Sequence, residues 1–267
     1  MKYYNKAYNQ FNIIHPCKNR EFAMLPKIRA LKIHSIESLK QVLELIHWDN
    51  SKIKLYRSVA KVKNIPFFTF NMNKRSSETY PWFRNNFSNE VYSYDLFFDF
   101  DKDDDSTIYD VLEEVKDFIS YLNDYNVPYY VLFSGNKGFQ VMIDGNYLPS
   151  PSIEDGVIQP HKRIQEKVSE AFGYKYLDLR NNGVPNRLCK VPYSLCITGE
   201  SQEEFDMNVA LPLDDNQLIN FKVEDMLLHN VESKIRLSKR GLIERNNEMP
   251  LSGKIKMVNA FIKSVDI

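Results

Sequence analysis

The chain has 267 residues, room for one large or two small domains, and 43% of them are hydrophobic, which excludes a disordered chain. Lys and Arg total 35 and Asp and Glu total 35, which excludes a protein that coats nucleic acid by bulk charge but allows a local basic groove. Cys17, Cys189 and Cys196 form no C-x-x-C pair and no zinc-ligand spacing, and no run approaches the ~18 apolar residues of a membrane span, so a protein of a reducing cytoplasm is expected.

Residues 1–15 read as a helix or an extended arm. Asn19 to Met24 reads as a short strand, and Arg29 to His34 alternates as a second. Ser35 caps a helix whose apolar positions are Leu39, Val42, Leu43 and Ile46. Lys54 to Ala60 is another strand. Residues 71–93 are polar and irregular, with Lys74, Arg75 and Arg84 among aromatics, and read as a surface loop.

Tyr94 to Asp101 then forms a strand on which Asp95, Phe97, Asp99 and Asp101 point one way and Leu96, Phe98 and Phe100 the other, into a core. An apolar strand carries acid when the charge is paired or holds a metal. Asp99 and Asp101 stand about 6–7 Å apart along such a strand, close enough to share cations for phosphoryl transfer. The plainer reading is a strand end entering a solvated loop, since Asp103, Asp104 and Asp105 follow.

Ser106 or Thr107 starts a helix with an apolar stripe at Val111, Val115, Phe118, Ile119 and Leu122. Tyr129 to Phe133 and Phe139 to Ile143 are strands joined through Ser134-Gly135-Asn136-Lys137-Gly138. Glycines at such a bend let a ligand approach the backbone with Lys137 beside it; an ordinary glycine hairpin explains the same residues. A helix follows from about Ile158 to Phe172, with Arg163 and Lys167 on its polar side. Tyr176-Leu177-Asp178 reads as a strand end presenting a third acid. Arg187 and Lys190 precede a proline-fixed turn at Pro192, and Val209 to Leu213 is a strand. Residues 222–246 are helical in part, and the cations at 234, 236, 239, 240 and 245 read as a solvated face or a phosphate contact. An amphipathic helix near Val258 to Val265 ends the chain.

In this order the pieces resemble the small catalytic subunit of archaeal and eukaryotic DNA primases, within the archaeo-eukaryotic primase superfamily. Asn19-Arg20-Glu21-Phe22-Ala23 is similar to the R-E-F segment of that family, and Leu55 to Ala60 to the strand upstream of its acidic motif. Asp95 to Asp101 resembles its D-L-x-F-D-x-D strand, and Ser134 to Gln140 its S-G-x-x-G-x-H loop. Asp178, nine residues before Arg187, with Lys190 to Leu195 and Thr198-Gly199, resembles its third motif. The resemblance spans roughly residues 10–215, and five short motifs in order outweigh any one of them.

The resemblance implies an α/β (α+β) fold: a mixed, mostly antiparallel sheet with flanking helices and an N-terminal αβ lobe. The catalytic core would span 1–215, with 216–267 a helical segment packed on it. It implies that Asp99, Asp101 and Asp178 bind two divalent ions, Mg²⁺ or Mn²⁺. Ser134 and Lys137 would hold the triphosphate of the incoming nucleotide, helped by Arg20 and Lys190, with Arg187 and Ser194 in the same pocket. The implied activity is synthesis of short RNA or DNA primers on single-stranded DNA from nucleoside triphosphates. A primase large subunit is the implied partner, and a nucleoid-associated location follows.

Two departures stand out. Gln140 occupies the position of the second-motif His of the family, and Cys196 that of the third-motif His. Gln donates a hydrogen bond to phosphate but carries no charge and moves no proton. The chain also has no room between Gly145 and Asp178 for the helical insertion and zinc module common in the family. The compact polymerase domain of bacterial end-joining ligases is the second resemblance, through the P-Y-S-L segment and Asp178-Leu179-Arg180-Asn181. The alternatives are therefore an end-joining or repair primase-polymerase that extends DNA, or a weakened paralogue that binds nucleic acid as a scaffold.

Overall fold

The computed structural model describes residues 19–25, 28–32, 38, 54–65, 86–180, 182–196, 208–234 and 244–265. The expected N-terminal arm, the helix after Ser35, and most of the 71–93 loop and of the 234–245 basic run lie outside them.

The strands are β1 (Glu21–Leu25), β2 (Ile28–Lys32), β3 (Lys54–Ser58), β4 (Ala60–Val62), β5 (Val91–Tyr94), β6 (Leu96–Asp101), β7 (Tyr130–Phe133), β8 (Gly138–Ile143), β9 (Ile153–Glu154), β10 (Val157–Ile158), β11 (Leu188–Lys190), β12 (Leu195–Cys196), β13 (Asn208–Val209) and β14 (Leu211–Pro212). The α-helices are α1 (Ile108–Asp124), α2 (Gln159–Phe172), α3 (Asp215–Ile219), α4 (Leu228–Lys234) and α5 (Leu251–Val265). None of the described helices is long and apolar enough to cross a membrane.

Two four-stranded sheets organise the chain, with orders β14-β7-β8-β6 and β11-β3-β1-β2. The expected sheet was mixed; every pairing between described strands is antiparallel. Hairpins and short returns suffice for antiparallel neighbours, whereas parallel ones need long crossovers. The alternation along β6 divides the molecule. Leu96, Phe98 and Phe100 join Val131, Phe133, Phe139, Val141 and Ile143 in a core closed by helices. Helix α1 contributes Val111, Val115, Phe118, Ile119 and Leu122, the stripe its 3.6-residue period predicts. Thr107 caps it, accepting from the Asp110 N–H while Asp110 reaches back to the Thr107 N–H. Helix α2 adds Ile164 and Val168, and α5 adds Val258, Phe261 and Val265. On the other face Phe97, Leu132 and Met142 meet Cys189 of β11 and the residues around β4 and β5. The acid-bearing side of β6 thus faces the second sheet.

Residues 86–93 depart from the loop expectation. Residues 86–90 are helical, and β5 pairs with β4. Phe87, 1% exposed, anchors this segment in the second core, and Val91 packs against the same cluster. Its polar neighbours mask that anchor in a periodicity reading.

The glycines of the β7–β8 hairpin serve the protein's own backbone. A Cβ on Gly138 would lie 1.6 Å from the carbonyl oxygen of Phe100, and one on Gly135, at φ +88°, 2.6 Å from the Cys196 Cβ. Gly138 lets β8 lie against the acid end of β6 without displacing Asp101, its register partner.

Candidate active site

Three acids meet at the end of β6. The register sets Asp99 opposite Gln140 and Asp101 opposite Gly138. On the free edge of β6, Leu177 bridges Phe100 in antiparallel fashion. The Asp101 N–H donates to the Tyr176 carbonyl (2.9 Å) and the Asp178 N–H to the Asp99 carbonyl (2.8 Å). Two backbone hydrogen bonds therefore deliver Asp178 beside Asp99, 79 positions away in the chain (178 less 99). Asp99 is 8% exposed and the Asp178 side chain 8% exposed; Asp101 is half-buried.

Arg187 stands between two of the acids. Its Nη2 lies 2.6 Å from Asp99 Oδ2 and 3.5 Å from Asp178 Oδ2, and its guanidinium lies over the Phe97 ring at 5.7 Å. Arg180 folds over Asp178 from the solvent side: its Nε (2.9 Å) and backbone N–H (3.0 Å) both donate to Asp178 Oδ1.

The acids divide electrostatically. Burial, then the neighbouring Asp101, pushes Asp99 up to about 7, against the pull of Arg187 and Gln140. Burial and Asp178 raise Asp101, with Lys137 and Arg187 opposing. At Asp178 burial is outweighed by the hydrogen bonds from Arg180 and the charge of Arg187, so it lies below the ordinary carboxylate range. Two of the three acids are thus held against ionisation, first by burial and then by a neighbouring acid.

The sign of this effect is measurable. A carboxyl whose proton affinity is raised by folding loses stability as pH rises from its unfolded value near 4 through about 7. Asp99→Asn is expected to stabilise the metal-free protein at pH 8 by about 1–2 kcal/mol, with the gain fading towards pH 4. Denaturant unfolding at both pH values checks it; a variant less stable than the parent at pH 8 refutes the sign.

The cationic end lies across the sheet junction. Strand β11 pairs with β3, setting Lys190 opposite Tyr56, and the Lys190 ammonium sits 4.5 Å from the Tyr56 ring centroid and 3.8 Å from Cys196 Sγ. Lys190 is 6% exposed and has no carboxylate partner among the described residues. Among the described residues this buried ammonium meets a ring face and a thiol but no carboxylate. Lys137, exposed on the hairpin turn, faces Asp101. Ser134 Oγ accepts the Gly138 N–H (3.2 Å) and so braces that turn.

Three of the expected nucleotide contacts are engaged by protein groups in this structure. Arg20 is 5% exposed; its Nη2 is 2.6 Å from Asp95 Oδ2 and its Nη1 donates to the carbonyls of Ser58 and Val59. Ser194 is 1% exposed and donates to the Val191 carbonyl at 2.6 Å, inside the turn after Pro192, where Tyr193 takes φ +64°. Gln140 is 4% exposed, with its amide spent on Asp99 and the Lys190 backbone. Arg180 and Tyr56 join the site instead. Arg180 could have been found from its position two residues after Asp178, and Tyr56 from its alternation with the buried Leu55 and Arg57.

Carboxylate oxygens are hard donors of the kind Mg²⁺ and Mn²⁺ take. Among the described residues no group of three or more His, Cys, Asp or Glu forms a ready metal cage; Arg187 lies within the acid set. Burial and a neighbouring acid raise the proton affinities of Asp99 and Asp101, and a hard cation is the kind of partner that would oppose both effects. Neither a family model nor a curated protein matches the chain.

Proposed function

We propose that the chain is a DNA-directed primase-polymerase that joins nucleotides into short primers on single-stranded DNA. The observation that carries this reading is the meeting of Asp99, Asp101 and Asp178 at one strand end, tied through Gln140 to the strand that bears the buried Lys190. The order of the motifs supports it, and Gln140 and Cys196 at the His positions of the family weigh on its strength.

Asp99, Asp101 and Asp178 would hold Mg²⁺ or Mn²⁺, which supplies a lowered pKa for the 3′-hydroxyl and screening of the triphosphate. The chain's own groups supply orientation and charge. Lys190 offers a desolvated ammonium to phosphate oxygens, where a charge-assisted hydrogen bond is strongest. Lys137 adds a solvated cation from the hairpin turn. Arg187 fixes Asp99 and shields Phe97, keeping the acid end dry on its core side. Lys190→Met is expected to raise KM for nucleoside triphosphate about tenfold or more, the loss of one charged hydrogen bond, with a smaller effect on kcat. Steady-state kinetics decide; a change in kcat alone would remove Lys190 from the phosphate end.

The deciding assay offers circular single-stranded DNA, which has no end to extend, with labelled nucleotides and Mn²⁺ or Mg²⁺. New short products establish priming. Products only when a primer is annealed establish the repair-type polymerase. Neither product with excess Mn²⁺, with and without a primase large subunit, overturns the reading in favour of a scaffold.

A further inference from the structure

Gln140 is the residue where the chain departs from the pattern it otherwise resembles, and its surroundings give it a definite task. The side chain is 4% exposed and lies on the β8 face that looks toward the second sheet. Its Nε2 donates to Asp99 Oδ1 at 3.3 Å, and its Oε1 accepts the backbone N–H of Lys190 at 3.2 Å. Because the Lys190 backbone N–H only donates, Oε1 must face it and Nε2 must face Asp99, so the orientation of the Gln140 amide is fixed by chemistry. Strand β11 is the edge of its sheet, and its Lys190 N–H is satisfied by this side chain. The other oxygen of Asp99 is held by Arg187 at 2.6 Å. Asp99 is thus gripped from both sides, and one of those grips continues into the strand that carries the buried ammonium.

We propose that Gln140 is a positioning residue that locks the Asp99 carboxylate to the backbone of Lys190, so that the acid end and the cationic end of the site form one rigid unit. This deepens the polymerase reading and rests on it for its catalytic meaning. A histidine would have both a donor for Asp99 and an acceptor for the Lys190 N–H only as a neutral ring, whereas the glutamine amide offers both at every pH. The amide reaches from β8 of one sheet to the backbone of β11 in the other, so it is a tie between them as well as an orienter. The second departure meets the same residue: Cys196 Sγ accepts from the Lys190 ammonium at 3.8 Å.

The test uses the full chain with Gln140→Met, which keeps length and packing but neither hydrogen bond, and Gln140→Glu, which keeps the acceptor alone. Amide hydrogen exchange at Lys190 is read together with Mn²⁺ affinity by electron paramagnetic resonance. In Gln140→Met, Lys190 exchange is expected to accelerate about tenfold while β7 amides stay within about twofold. Mn²⁺ affinity is expected to fall about tenfold with it, the loss of one orienting contact. Gln140→Glu is expected to retain Lys190 protection, an outcome that a pure packing role would not separate from Gln140→Met. Unchanged Lys190 exchange in Gln140→Met overturns the tie. Accelerated exchange with unchanged Mn²⁺ affinity overturns the positioning of Asp99. If the parent binds no Mn²⁺ that Asp99→Ala abolishes, the metal reading fails and takes the catalytic positioning with it, whereas exchange at Lys190 still decides the tie.

Discussion

Asp99→Ala combined with Asp101→Ala is expected to lower nucleotide addition about 10³-fold or more, because several kcal/mol of charge stabilisation leave with the donor set. The paired control is Asp104→Ala with Asp105→Ala, two exposed acids of the following turn, for which rates are expected to stay within about twofold. The two pairs carry equal charge and lie a few residues apart, so bulk electrostatics cannot explain a difference between them. The site pair should also stay folded: it removes acids whose ionisation is opposed by burial and by a neighbouring acid, Asp101 for Asp99 and Asp178 for Asp101, and Arg187 keeps Asp178 as partner. Polymerisation rates with Mn²⁺, measured beside circular dichroism, decide the matter. Equal losses in both pairs would return the β6 acids to the status of a solvated strand end.

The strand that carries these acids was legible because burial enforces a period of two. A residue on β6 has either the helix-backed core or the second sheet as its environment, so the alternation of acid and phenylalanine reads directly as two faces. The α1 helix was legible for the same reason, through its stripe and its Thr107–Asp110 cap. The partners of charged side chains were not legible. Arg20 and Asp95 are 75 residues apart, and nothing local in either says that they meet. Motif order placed Arg20 near phosphate; burial places it against a carboxylate. Gln140 was read for what its amide could donate to a ligand, whereas two protein groups already take both ends of it. Lys190 shows the same limit from the other side: its sequence position gives a cation, and only the pairing of β11 with β3 gives it Tyr56 and, among the described residues, no carboxylate partner.

Asp95 sits on the same face of the same chain segment as Asp99 and is expected to behave in the opposite way. It is 3% exposed, with Arg20 at 2.6 Å, Arg57 at 3.9 Å and the Gly145 N–H at 3.0 Å. Burial opposes its ionisation, but Arg20, Arg57 and Lys61 outweigh burial and hold its pKa below the ordinary range. A carboxyl lowered by folding contributes stability above its unfolded pKa near 4 and loses it as pH falls through the folded value. Asp95→Asn is expected to cost about 3–5 kcal/mol at pH 7, because it strands two buried guanidinium groups without a counter-charge. Arg57 has no slack to absorb the loss, since its Nε and Nη1 already lack hydrogen-bond partners. Below about pH 4 the difference between parent and variant should shrink, as the parent's own carboxyl takes up its proton. Asp99→Asn, by contrast, should gain stability at high pH and converge with the parent at low pH. Denaturant unfolding of both variants across pH separates the two roles: an acid committed to holding the sheets together, and an acid held against ionisation at the site. A cost at Asp95→Asn of less than about 1 kcal/mol at pH 7 would mean that its ion pairs only balance their own desolvation. Asp95 would then be no more a keystone than Asp99.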